Sequence, residues 1–138
     1  MRKKHVFFLI GIVLLAGIVS VGYYLYNKPH ASAANEAASV VITADSLFNA
    51  YARDEKTADQ QYQGKIIEVK GALSDIARSA NGTDNLTLAS GRPGAGVSCQ
   101  LYPGDSAVKE KKIGQTITIK GKCTGFLMDV NLVDCVIK

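Results

Sequence analysis

The chain has 138 residues, 47% of them hydrophobic, with a formal charge of +4 and a pI near 9. That length allows one compact domain and a short extra segment, not two cores. Three of the 16 basic residues are Arg2, Lys3 and Lys4, so the rest of the chain carries 13 basic against 12 acidic residues. This near balance excludes a strongly cationic polyanion binder, which needs clustered, uncompensated cations.

Val6 to Tyr26 follow as 21 residues without a formal charge. As a helix rising about 1.5 Å per residue they match the hydrocarbon thickness of a bilayer. The basic tip places the N-terminus in the cytoplasm and the remainder outside it, and Tyr23, Tyr24 and Tyr26 suit the headgroup level. Residues 1–26 are therefore expected to be a basic tip and a retained signal anchor. The alternative is secretion after cleavage near Ala33, since Ala31-Ser32-Ala33 is a small-x-small pattern. No cysteine precedes Cys99, which argues against a lipid-modified N-terminus.

Residues 27–42, with Lys28, Pro29, His30 and a run rich in alanine and serine, read as a tether. Thr43 then suits a helix N-cap, with Asp45 in the first turn and Leu47, Phe48, Tyr51 and Ala52 on one apolar face; helical character extends to Tyr62. From Gly64 the period becomes alternating. Gly64 to Gly71 reads as a strand with Ile67 and Val69 inward, and Gly114 to Gly121 repeats the pattern Gly-x-x-Ile-x-aliphatic-Lys-Gly. Two such octamers are too few for a repeat architecture. Leu86 to Leu88 and Gly96 to Tyr102 supply two strands, joined by loops around Asn81-Gly82 and Gly91 to Gly94. Ser106 to Lys112 suits a short helix. Asp129 to Ile137 supplies the last strand, in which Val130 and Leu132 share one parity while Cys135 and Ile137 share the other, predicting a bulge near Val133-Asp134.

A helix, five short strands and a helical connection before the fourth is the element order of a small Greek-key barrel of the OB type. The expected fold is thus mainly β: a five-stranded OB-fold barrel over 43–138, preceded by a helix and an N-terminal transmembrane helix. Three segments carry a resemblance: Tyr62 to Gly71, Gly96 to Cys99, and Gly121 to Gly125 with Asp134-Cys135. They are similar to the tRNA_anti-like family of OB-fold proteins over about Thr43 to Lys138. The resemblance implies a barrel of nucleic-acid-binding ancestry, and transfers a fold better than a function.

The three cysteines, Cys99, Cys123 and Cys135, all fall in the part expected to be exported, where disulfides persist. Cys123 and Cys135 lie symmetrically about Asp129, so a hairpin turning between Phe126 and Val130 favours that pair; Cys99–Cys123 and Cys99–Cys135 stay open. Without a histidine in the folded region or a C-x-x-C pair, no metal or other cofactor is expected. His5 and His30 lie outside the folded region, so no imidazole serves a nucleophile there, and Asp75, Asp84, Asp105, Asp129 and Asp134 fall at turns and strand ends. No catalysis is expected.

OB barrels bind ligands across strands two and three and between the loops joining strands one to two and four to five. That position maps onto Arg78, Asn81, Thr87, Gln100, Tyr102, Phe126 and Met128. The expected role is a membrane-tethered, extracytoplasmic binding module whose partner is a protein or glycan before a nucleic acid. Single-stranded nucleic acid would need stacking aromatics in a basic groove, for which only Tyr102 and Phe126 with Arg78, Arg92, Lys109, Lys111 and Lys112 are on offer. A single-stranded nucleic-acid binder and an enzyme-associated envelope subunit are the competing roles.

Overall fold

The structure is a computed structural model that describes residues 2–26 and 33–138; the side chains of 2–5, 8 and 9 are outside that description. The chain divides into two compact units, Met1–His30 and Ala31–Lys138. The described residues of the first form one helix, α1 (Arg2–Tyr26). Counted over the described residues, no helix is long and apolar enough to cross a membrane. Uninterrupted description of the α1 side chains begins only at Ile10, so the crossing inferred for Val6 to Tyr26 rests on the sequence.

The second unit is built on β1 (Val40–Thr43), α2 (Ala44–Arg53), α3 (Glu55–Tyr62), β2 (Ile66–Ala77), β3 (Asn85–Ala89), β4 (Gly96–Leu101), β5 (Thr116–Phe126) and β6 (Val130–Ile137). The strand order β1-β2-β3-β4-β6-β5, with β2 also paired to β5, closes a five-stranded barrel from β2 to β6. The closure depends on the length of β2. Its first half pairs with β5, from Ile66↔Lys122 to Ala72↔Thr116, and its second half with β3, across a register break between Leu73 and Asp75. The alternating pattern puts Ile67, Val69, Ile117 and Ile119 inside, at 5% exposure or less, where they meet Leu73, Leu86, Leu88, Val97, Val130 and Leu132.

The expected tether is partly structure. Ala33–Asn35 form a 3-10 turn against β5 and β6, and Val40–Thr43 add β1, a sixth strand parallel to β2 from Val40↔Ile67 to Thr43↔Lys70. Residues 27–32 lie outside the described residues. The 3-10 turn is fastened by Lys120, which faces out of the barrel yet is only 8% exposed. Its Nζ donates to the carbonyls of Ala34 at 3.0 Å and Glu36 at 2.8 Å, fastening that segment to the wall.

Thr43 caps α2 as its hydroxyl accepts from the Ser46 N–H at 3.2 Å. The single helix expected to Tyr62 is two helices, because Asp54 leaves helical geometry (φ −156°) to cap α3 through the Thr57 N–H. The Thr57 hydroxyl, which donates to Asp54 at 2.7 Å, and then the Thr57 N–H hold the Asp54 carboxyl below its usual range. The helix expected at Ser106 to Lys112 is a 3-10 turn, Ser106–Glu110, capped by Asp105.

In β6 the bulge falls where the parity change predicts it. Asp134 adopts φ 53° between Val133, opposite Lys122, and Val136, opposite Lys120. The extra residue lets Val130, Leu132 and Cys135 all point inward. It also overturns the expected Cys123–Cys135 bridge: Cys123 faces Leu132, not Cys135, and all three cysteines are free, buried thiols. The glycine ending each octamer has a steric reason. A Cβ at Gly71 would lie 2.8 Å from the Ala44 Cβ, and one at Gly121 would overlap the Cys135 sulfur.

Candidate interaction site

The seven residues mapped by analogy with OB barrels are distributed along the barrel. Arg78 and Asn81 are exposed in the loop after β2, held by a turn in which the Gly82 N–H donates to the Ser79 carbonyl. Thr87 is half-buried on β3, opposite Ser98, and Gln100 is exposed on β4, opposite Asn85. Asn85, Thr87, Ser98 and Gln100, with Asp75 opposite Thr87 on β2, thus form a small polar outer face whose one charge is acidic. It has hydrogen-bonding groups but no ring on which a base could stack. Tyr102, half-buried, follows β4, and its N–H donates to the Cys135 carbonyl.

Phe126 and Met128 stand apart from that face and have opposite roles. The Phe126 ring stacks on Tyr51 (centroids 5.7 Å, planes 17° apart) and meets Phe48 edge-on at 5.7 Å. It closes the barrel end under α2. Arg92, counted above as a cation available to phosphate, has its guanidinium 5.7 Å from the centre of the Phe48 ring. Beneath this lid the Tyr51 hydroxyl lies 3.4 Å from the Cys123 sulfur. Burial first, then the Cys123 contact and the Asp59 carboxylate, push the Tyr51 hydroxyl well above its ordinary pKa; burial likewise raises the Cys123 thiol.

Met128 belongs to the tip of the β5–β6 hairpin, where it and Leu127 are each 85% exposed. The tip is a built turn: the Leu127 N–H donates to the Asp129 carbonyl, and the Asp129 carboxylate accepts from the Gly96 N–H at 2.8 Å. Beside it opens a cleft of about 320 Å³ between α3 and the hairpin, lined by Glu55, Asp59, Gln63, Thr124, Phe126 and Asn131 among others. Gln63 braces the wall by donating to the Thr124 carbonyl at 3.2 Å. One oxygen of Asp59, Oδ1, is buried without a hydrogen-bond partner. An acidic wall beside two bare apolar side chains can receive a cation and an apolar group together. Of the residues around this cleft and tip, the reading from sequence named Phe126 and Met128 and did not name Leu127, Glu55 or Asp59; the spacing of Glu55 and Asp59 on one helical face was the available signal.

Among the described residues no group of three or more His, Cys, Asp or Glu side chains could hold a metal ion.

Comparison with known proteins bears on the fold. A lipoprotein from Klebsiella pneumoniae, to which nucleic-acid binding has been provisionally ascribed, is similar in structure with a TM-score of 0.55 and 15% sequence identity, over 70% of this chain and 90% of that one. No curated protein sequence matches the chain. The tRNA_anti-like family model matches residues 1–137, a span that takes in the whole barrel, and the chain therefore belongs to the tRNA_anti-like family.

Proposed function

We propose that this chain is a non-catalytic OB-fold module, held at the outer side of the cytoplasmic membrane by Val6 to Tyr26, that engages a protein partner through the β5–β6 tip and its acidic cleft. The observation that carries the reading is the exposure of Leu127 and Met128 beside Glu55 and Asp59. Two large apolar side chains in water on a hydrogen-bonded hairpin tip favour burial by another surface, at about 25 cal/mol per Å² of apolar area covered. The cleft favours a segment bearing Lys or Arg next to an apolar residue. For the anchor, support comes from the uncharged run after Arg2, Lys3 and Lys4. For the absence of catalysis, it comes from a folded region without histidine, in which Asp54, Asp105 and Asp129 are engaged as caps and turn acceptors.

The description of the Klebsiella relative favours a second reading, binding of single-stranded nucleic acid. The two separate in one experiment. The intact chain in detergent is titrated with a fluorescent oligonucleotide from low to high salt, and with a peptide alternating Lys and Leu. Saturable peptide binding that Leu127→Ser with Met128→Ser abolishes is expected. Oligonucleotide binding with a steep salt dependence, unmoved by those substitutions, would establish the second reading instead.

A further inference from the structure

The bulge that carries Cys135 away from Cys123 brings it to a different partner. Strands β4 and β6 run parallel with Cys99 beside Leu132 and Leu101 beside Cys135, and the register shifts between these two pairs. All four side chains point into the barrel, and both cysteines are fully buried. Cys99 and Cys135 are therefore diagonal neighbours on adjacent strands; the Cys99 sulfur donates to the Val97 carbonyl of its own strand at 3.7 Å, and the nearby Cys99 thiol, then burial, pushes the Cys135 thiol up. Gly121 provides the room, since the space a Cβ would need there is filled by the Cys135 sulfur. Cys123 flanks Leu132 from the other side, on β5, and what sets it apart is its sulfur, held 3.4 Å from the Tyr51 hydroxyl.

We propose that Cys99 and Cys135 are the domain's disulfide-forming pair, with Cys123 remaining a thiol. In the reaction both S–H groups lose their protons, one S–S bond forms, and the two electrons pass to an external disulfide, which is reduced to two thiols. Because both sulfurs are out of solvent, the bond forms as the chain folds, before β6 closes over Cys99. Its formation in the cell rests on the extracytoplasmic placement proposed above; the pairing itself does not.

The test uses the full chain in detergent, unfolded and refolded in a mixture of oxidised and reduced glutathione. Trypsin alone leaves Cys123 and Cys135 on one peptide, because no Lys or Arg lies between Lys122 and Lys138. Cleavage before Asp129 and Asp134 as well separates them for mass spectrometry. The expected product links the Cys99 peptide to Asp134–Lys138, keeps one free thiol, and melts roughly 10 °C or more above the reduced chain. Cys123→Ser keeps the link and the shift; Cys99→Ser and Cys135→Ser each lose both. A link involving Cys123, or three free thiols after oxidative refolding, overturns the pairing. A C-terminal reporter fusion that reads out in the cytoplasm would overturn the placement while leaving the refolded link in force.

Discussion

Lys120→Met is the substitution that best isolates how the barrel holds the segment leading into it. The methionine keeps the stem's packing and removes the ammonium that donates to the Ala34 and Glu36 carbonyls at 3.0 and 2.8 Å. A hydrogen bond to a charged group is worth about 1.5–3 kcal/mol net, so two bonds set an upper bound of about 6 kcal/mol. The loss is smaller here, because Ala34 and Glu36 are exposed and their carbonyls recover water once the segment lifts. About 2 kcal/mol of destabilisation follows. For a unit of this size that is a fall of roughly 10 °C in melting temperature. Hydrogen exchange read by mass spectrometry should show residues 33–37 losing protection while β2 keeps its own. Lys120→Arg, which preserves the charge, should lose less. A Lys120→Met protein with unchanged melting and unchanged exchange over 33–37 would refute the role given to this lysine.

Gly121→Ala should destabilise the reduced protein by about 3 kcal/mol, because its methyl group needs the volume of the Cys135 sulfur. Combining it with Cys135→Ala should recover much of the loss, and additive effects in urea melts would count against the packing described. Phe126→Ala should cost about 3 kcal/mol in the same melts by removing the ring between Phe48 and Tyr51; weakened ligand binding at unchanged stability would instead make Phe126 a contact residue. The raised Tyr51 and Cys123 groups fix the direction of the alkaline response. Both bind their protons more tightly when folded, so their contribution is intact below the unfolded values of 9.0 and 10.0 and declines as pH rises past them. The urea midpoint should fall above about pH 9, and less so in Tyr51→Phe; a midpoint flat to about pH 11 would contradict this burial.

Local signals made much of the fold legible. Thr43 before an acidic first turn marked α2, alternation placed Ile67, Val69, Ile117 and Ile119 inside, and a change of parity located the bulge at Asp134. What escaped depends on distant partners. Val40–Thr43 is β-branched but too short to declare itself a strand without β2 alongside. The burial of Lys120 depends on a carbonyl 86 positions earlier in the chain. The cysteine partners turn on a single added residue in β6, which symmetry about Asp129 could not register. The cleft escaped for the same reason, because α3 and the β5–β6 hairpin that line it lie far apart in the chain.

A photoreactive amino acid placed at Met128 or at Gln100 in the intact, membrane-resident chain tests the account most directly. Crosslinks from position 128 to a discrete protein, absent from position 100 and lost when Glu55→Gln and Asp59→Asn are introduced together, are the predicted result. Crosslinks from position 100 alone, or to nucleic acid, would contradict it.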